Sequence, residues 1–386
     1  MATIKKIVLH VITGLNDGGA EAALYRLCLH EKKFIHIVVS MMDEGKYGKL
    51  LQDEGVEVIC LKMQQSRLQL ASVVLLWKTI RKIRPDVIQT WMYHANLIGG
   101  IFGRLAGAKK IFWGIHHSNL TPGTVKNSTI LIAKICGVLS HFLPTKIISC
   151  SRKSVEIHKI IGYNKRKFVV IPNGYDLNQF YPNSLARTQI RAKLGISDSR
   201  FLIGMIARFD PQKDHKNFLS ALAEVKSGDE SILCVLVGGE IDQGNSQLRD
   251  WIDQFGCKNN ILLLGKRNDI PDIMNAIDVH VLSSLGEAFP NVLAEAMACS
   301  TPCITTDVGD AAFIVGNTGW VVTPQNPGQL AEAIKCSQRD KYQSEKWCSR
   351  KNSARQRIVD NFSIEEVAKL YCNAWLEIDA EPKHLK

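Results

Sequence analysis

The segment VLSSLGEAFPNVLAEAMACSTPCITTDVG, residues 281–309, decides how the rest of the chain is read. Its apolar start, ending at Ser283 and Ser284, has the character of a buried strand. A polar loop with Gly286 and Glu287 follows, and Pro290 is suited to the first turn of a helix. From Asn291 onward Val292, Leu293, Ala296 and Met297 recur at spacings of three and four, which leaves Glu287 in the loop and Glu295 about one turn into the helix. Five residues of helix rise roughly 7.5 Å, so two carboxylates and a helix N-terminus can face one elongated ligand. Carboxylates accept hydrogen bonds from vicinal hydroxyls, and the free N–H groups of a first helical turn suit a diphosphate, so the pattern points to a sugar nucleotide. Two glutamates eight apart also occur on a solvated loop and a surface helix, and the pair alone does not separate the two readings.

The surrounding words narrow the choice. Glu287 and Glu295 in EAFPNVLAE, followed by AMAC and TDVGD, resemble the paired-glutamate motif of the family-4 retaining glycosyltransferases, which have the GT-B fold. The resemblance implies an α/β chain of two Rossmann-like parallel-sheet domains facing across a cleft. It also implies a donor site in which Glu287 orients the sugar hydroxyls and Glu295 binds the ribose diol, with Ala288, Phe289, Pro290, Asn291 and Val292 beside them.

Length agrees with two domains, since 386 residues exceed what one core usually supports. The hydrophobic share of 46% and charged share of 22% are those of a soluble globular protein. The opening apolar run leads straight into a polar, Gly-rich loop with no small-residue cleavage site, so no signal peptide is expected. The apolar stretches around 70–83 and 129–143 are interrupted by Lys78, Arg81, Lys134 and His141, and are too short to span a bilayer. A cytoplasmic protein is expected. The eleven cysteines lie mostly in apolar segments, as at Cys60, Cys150 and Cys234, and read as reduced and buried; Cys299 and Cys303 read as packing residues.

Charge is uneven. Residues 1–190 hold 26 Lys and Arg against 11 Asp and Glu, a formal +15, and the remainder holds 22 against 26, a formal −4. A basic first half suits an anionic membrane surface, nucleic acid or an anionic substrate, and charge alone does not choose among them.

In chain order, an apolar strand over 5–13 enters the loop Gly14 to Gly19 before a helix over 20–30. The spacing is not that of a dinucleotide fingerprint. The resemblance places Gly18 and Gly19 at the cleft near the donor phosphates; a plain tight turn explains them equally well locally. Strands and helices then alternate, which argues for a parallel sheet covered on both faces with ligands at the carboxyl ends of its strands. His94 and the His116-His117 pair fall at such ends and read locally as packing or surface residues. The resemblance gives His117 a contact with the donor sugar, while His116 stands where arginine is frequent.

The stretch 125–143 reads as a buried helix of the first domain; its alternative is a face dipping into a membrane interface beside Lys78, Arg81, Lys82 and Arg84. The word IPNGYD resembles the family's interdomain join, and the boundary is placed near 178. This gives an acceptor-binding domain over 1–178 and a nucleotide-sugar-binding domain over 179–362. A C-terminal helix over 363–386 packs back on the first, as the resemblance implies.

Arg208 and Lys213, five apart after a strand over 201–207, suit a diphosphate clamp, and the words around them match the family's pair on the leaving pyrophosphate. The resemblance implies that the loop Gly265 to Asn268, with Arg267, lines the base pocket. No D-x-D motif and no cluster with metal-ligand spacing is present, so metal-independent transfer is expected, with charge neutralised by Arg208, Lys213 and the helix after Pro290. No cofactor is expected.

The reading is a retaining transferase that moves a sugar from a UDP-sugar, or as second choice a GDP-sugar, to a lipid-linked or polysaccharide acceptor in surface-glycan assembly such as O-antigen or capsule. Peripheral contact with the anionic inner face of the membrane and no nucleic acid are the expected partners. A sugar-nucleotide epimerase of the same fold and a basic nucleic-acid-binding protein are the alternatives.

Overall fold

A computed structural model describes residues 5–16, 18–63, 69–117, 120, 125–226 and 231–378. Asp17 of the expected Gly-rich loop and the end of the expected C-terminal segment, 379–386, lie outside the described residues. The chain divides into two compact units, Met1–Gly174 with Ser363–Lys386 and Tyr175–Phe362.

In the first unit seven parallel strands alternate with helices: β1 (Ile7–Ile12), α1 (Gly19–His30), β2 (Ile35–Ser40), α2 (Gly45–Asp53), β3 (Glu57–Cys60), α3 (Leu70–Ile83), β4 (Val87–Trp91), α4 (Tyr93–Leu105), β5 (Ile111–Ile115), α5 (Asn127–Leu139), β6 (Lys146–Ser149), α6 (Arg152–Ile160) and β7 (Phe168–Val170). The sheet order is β3-β2-β1-β4-β5-β6-β7, so the direction of winding reverses between β1 and β4. The strands are near-continuous apolar runs because both faces are covered.

The second unit carries α7 (Ser184–Lys193), β8 (Leu202–Ile206), α8 (His215–Lys226), β9 (Leu233–Val237), α9 (Ser246–Gln254), β10 (Ile261–Leu263), α10 (Ile270–Ala276), β11 (Val279–Leu282), α11 (Asn291–Ala298), β12 (Cys303–Thr306), α12 (Ala311–Val315), β13 (Trp320–Val322), α13 (Pro327–Lys341) and α14 (Ser344–Phe362). Its six parallel strands run β10-β9-β8-β11-β12-β13, with the reversal between β8 and β11. The last helix, α15 (Ile364–Leu376), belongs to the first unit, where Val367, Ala368, Tyr371, Cys372 and Trp375 are buried with α1 and strands β1, β2 and β4. Burial of each large side chain there contributes about 1.5–3 kcal/mol, and Trp375 Nε1 also donates to Gln89 Oε1 at 3.1 Å.

Helix α6 is one that no apolar period announces. In α6 the buried positions are Ser154, Val155 and His158, so its inward face is largely polar and gives no apolar period. The expected buried helix over 125–143 is corrected. In α5 only Ala133, Cys136 and Gly137 are buried, while Leu131, Ile135, Val138 and, just beyond it, Phe142 are exposed. A helix apolar on all sides reads as buried, but here only one side meets the core. All eleven cysteines are free; eight are buried, and Cys60, Cys336 and the exposed Cys348 depart from that expectation. No helix among the described residues is long and apolar enough to cross a membrane.

Candidate active site

In an open parallel sheet the crevice outside the strand ends lies where winding reverses. In the second unit that point falls between β8 and β11, and their following loops carry Arg208 and Lys213 on one side and Glu287 on the other. After β8, Asp210 caps a short 3-10 turn, Pro211–Lys213, by accepting from Gln212 N at 2.9 Å. The turn ends at Asp214 in the left-handed region (φ 47°) and α8 begins.

That turn aims Lys213 Nζ at Glu287 Oε1, 2.5 Å away, with the two side chains 20% and 13% exposed. Glu287 Oε1 also accepts from Ser284 Oγ at 2.7 Å. The two loops are stitched together: Ser283 Oγ donates to the carbonyls of Lys213 and Asp214 at 2.8 and 3.1 Å, and Leu285 N donates to Gln212 O at 2.7 Å. Thr306 Oγ1 at the end of β12 donates to Ser284 O at 2.7 Å. Gly309 (φ 55°) closes the back of the loop. A Cβ there would sit 2.3 Å from Glu287 O, so only glycine lets Asp310 N reach Ala288 O at 3.1 Å.

Pro290 is the cap residue of α11 rather than part of its first turn, and Asn291 opens the helix. Tyr175 OH donates to Asn291 Oδ1 at 2.7 Å. Phe289 is buried, packed edge-on against Phe362 at 5.8 Å, while Ala288, Val292 and Glu295 are half-buried. Glu295 lies in the second turn of α11, as expected. Burial and then the Lys213 ammonium push His280, inside β11, down to about 3 and His215 to about 4, so both rings are neutral near pH 7.

The other second-unit candidates are held by their own loops. The Arg208 guanidinium pairs with Asp210 at 2.9 Å and stays 68% exposed, and Arg267 forms a two-pronged pair with Asp269 at 2.8 and 2.5 Å. Arg208 and Lys213 each have a carboxylate of their own.

Gly18, Gly19 and His117 belong to the first unit. Gly18 is the extended cap residue of α1 (φ −155°), and a Cβ on it would sit 2.3 Å from Glu21 Oε2. The bare cap therefore lets the Glu21 carboxylate fold over the helix N-terminus, where negative charge is favoured. His117 follows β5, and its carbonyl accepts from Ser154 Oγ at 2.7 Å. Behind it, His158 Nδ1 donates to Ser154 O at 2.6 Å, which leaves Nε2 to accept from Tyr93 OH at 2.8 Å. His116 stacks on Trp91 at 5.0 Å. Burial pushes it and His158 down to about 4. His94 is half-buried in the first turn of α4, and burial lowers it as well.

One group of metal-ligand type occurs among the described residues, the buried His10, Cys28 and His36 in the first unit. The Trp91 indole can only donate, and it gives its N–H to His10 Nδ1 at 3.2 Å. His10 Nε2 must then donate to His36 Nδ1 at 2.9 Å, and His36 Nε2 to Glu31 at 3.1 Å. All four ring nitrogens are committed to a one-way chain, which reads as a structural network.

Sequence reasoning missed Ser284, Tyr175, Gly309 and Ser154. Only Ser284 leaves a local trace, its spacing of three from Glu287.

The family model described as Glycosyltransferase Family 4 matches residues 17–179, and that described as Glycosyl transferases group 1 matches residues 186–355. The chain is a family-4 glycosyltransferase. It is 30% identical over 251 residues to the UDP-Gal:alpha-D-GlcNAc-diphosphoundecaprenol alpha-1,3-galactosyltransferase of Escherichia coli, a match that spans 64% of each chain. This glycosyltransferase is also 24% identical over 337 residues to the N,N'-diacetylbacillosaminyl-diphospho-undecaprenol alpha-1,3-N-acetylgalactosaminyltransferase of Campylobacter jejuni, covering 83% of this chain and 87% of that one. Its fold is GT-B. The crystal structure of Anabaena HepE in complex with UDP superposes with a TM-score of 0.85 over 97% of this chain and 100% of that one, at 24% identity.

Proposed function

We propose that the protein transfers a sugar from a UDP-sugar to a lipid-linked glycan, with retention of anomeric configuration and without a metal ion. The observation that carries this is the Lys213–Glu287 pair at the switch point of the second unit, with Ser284 as the third member. An ammonium joined to a carboxylate is a resting arrangement of a diphosphate-plus-sugar site. The donor diphosphate competes for Lys213, Ser284 keeps Glu287 in place, and the released oxygen accepts from sugar hydroxyls. Arg208 and the start of α11 add positive potential for the departing phosphate, the task a metal performs in other transferases.

In the reaction the bond from the anomeric carbon to the phosphate oxygen breaks and that from the acceptor oxygen forms on the same face, with the acceptor proton passing to the departing diphosphate. Glu287 orients the sugar, Glu295 the ribose diol, and His117 the sugar near its reacting carbon. UDP as the nucleotide is supported by the Anabaena structure with UDP and by the UDP-Gal-dependent relative. A GDP-sugar is the second choice. A diphospho-undecaprenol-linked acceptor is supported by both bacterial relatives, and surface-glycan assembly is the reading that goes with it.

Calorimetry with UDP, GDP and ADP in the presence of EDTA tests the donor reading. UDP is expected to bind, and Arg208→Ala with Lys213→Ala is expected to weaken it by roughly a hundredfold, since each lost charge-assisted contact costs about 1.5–3 kcal/mol. A folded wild-type protein that binds none of the three overturns the reading.

A further inference from the structure

We infer that Ser154, backed by His158 and Tyr93, is a positioning residue that fixes the orientation of His117. The inference rests on the proposed reaction for the task it gives His117, and deepens it by naming what holds that residue in place.

His117 stands beyond the sheet. The β5–β6 ladder ends at the pair Ile115 and Ser149, with a last bond from Cys150 N to Ile115 O at 3.2 Å. Two residues further on, the His117 carbonyl accepts from Ser154 Oγ at 2.7 Å, across 37 positions of sequence. A peptide is planar, so fixing that carbonyl fixes the torsion on the carboxyl side of the His117 Cα, and with it the direction in which the side chain leaves the backbone.

Ser154 is the third residue of α6 and is fully buried. In a capping box a side chain at that position turns back to the N–H of the cap residue. Here the cap is Ser151, whose Oγ accepts from Ser154 N at 3.2 Å, while Ser151 N is directed at Ser149 Oγ, 3.4 Å away. The helix start is served without the Ser154 hydroxyl, which is turned to the neighbouring loop instead.

The hydroxyl proton has one destination. His158 Nδ1 lies 2.6 Å from Ser154 O and 3.3 Å from Ser154 Oγ; a carbonyl only accepts, so Nδ1 carries the proton and shares it between the two oxygens. Ser154 Oγ therefore receives from the ring and gives its own proton to His117 O. His158 Nε2, left without a proton, accepts from Tyr93 OH at 2.8 Å. The donors all point one way, from Tyr93 through His158 and Ser154 to the His117 carbonyl. Tyr93, stacked at 5.7 Å, and Tyr163, edge-on at 5.1 Å, pack the His158 ring in place. Burial keeps that ring neutral near pH 7, so the direction of the relay holds.

The far end of the relay is set by strained backbone. Tyr93 opens α4 directly after Met92, whose φ of 72° and ψ of 164° lie where residues other than glycine rarely sit. Met92 N donates to Gly114 O at 3.0 Å, and Asn96, held by Thr90 Oγ1 at 2.6 Å, donates from Nδ2 to the same carbonyl at 3.1 Å. The ends of β4, β5 and β6 are joined in this way through one set of buried polar groups, and backbone strain held by its surroundings clusters at functional sites.

Proton–carbon NMR of the histidine-labelled full chain reads the coupling, and release of UDP from UDP-galactose, UDP-glucose and their N-acetylated forms reads its use. Ser154→Ala leaves His158 its bond to the Ser154 carbonyl, so the fold should hold. The variant is expected to move the His117 signal and to lower kcat by about tenfold, at unchanged donor KM and unchanged UDP affinity, and Ser154→Thr to restore both signal and rate. In a His117→Ala background, Ser154→Ala should lower kcat no further. An unmoved His117 signal in Ser154→Ala, or a loss of kcat that persists in full in the His117→Ala background, overturns the inference. A His117 signal that moves in a protein binding no UDP keeps the relay and removes the donor reading instead.

Discussion

The two units solve the burial of polar groups in opposite ways. In the second unit the interior is ionic and matched. Asp278, at the entrance of β11, accepts from Arg187 and Arg191 at 2.8 Å each, from Lys341 at 2.9 Å and from Leu202 N at 2.8 Å. Burial works against its ionisation, but the three cations hold it below the usual carboxylate range. In the first unit, Glu31 apart, the buried polar groups are neutral: the Trp91–His10–His36 chain, Gln89 with Trp375, and Tyr93 with His158.

Its charges lie mostly outside and are predominantly positive, 28 Lys and Arg against 15 Asp and Glu, whereas the second unit has 20 against 22. In the proposed reaction the second unit grips a diphosphate, which needs cations at fixed places, and carboxylates hold them there.

Breaking the ionic interior should have the largest effect. Asp278→Ala takes the carboxylate from Arg191, whose side chain is 2% exposed and keeps only backbone carbonyls at hydrogen-bond distance, and is expected to cost about 3–5 kcal/mol in denaturant unfolding. A loss under about 1 kcal/mol would put the network on a par with surface pairs and dissolve the contrast.

The neutral interior should reveal itself through pH. Burial pushes His116 and His158 down to about 4, below the value near 6.5 of an unfolded histidine. Unfolded chain therefore binds more protons between those values, so stability is full above about pH 6.5 and falls as pH drops towards 4, by on the order of 1 kcal/mol per pH unit for each histidine. His158→Gln should flatten that slope in pH-dependent unfolding; an unchanged slope would remove His158 from the account.

The smallest effect sharpens the site itself. Ser284→Ala removes one of the two hydrogen bonds observed on Glu287 Oε1 and is expected to slow transfer by about 5–10-fold while nucleotide affinity holds. Glu287→Ala should cost roughly a hundredfold. Recovery in Ser284→Thr separates positioning from packing.

Much of the fold is legible in the chain. The helix over 70–83 has the bounds the periodicity gives, and the strands of both sheets stand out as apolar runs because parallel sheets are buried on both faces. The glutamate motif is legible because its partners lie within one strand, loop and helix. Contacts over long separations are not: Lys213 meets Glu287 across 74 positions and Arg191 meets Asp278 across 87. Nor is the exposure of α5, since hydrophobicity records how apolar a helix is and not which side finds a partner.

The placement of α15 has a consequence for biosynthesis. The second unit is an insertion between β7 and the helix that completes the first, so the half begun first on the ribosome is finished last. Until Trp375 emerges, Gln89 lacks its indole partner and the apolar groove around Leu24 and Trp91 stays uncovered. Meanwhile the whole of the second unit, with a hydrophobic core of its own, has been synthesised. Ribosome-stalled chains ending before α15 are therefore the species in which this protein most needs a chaperone.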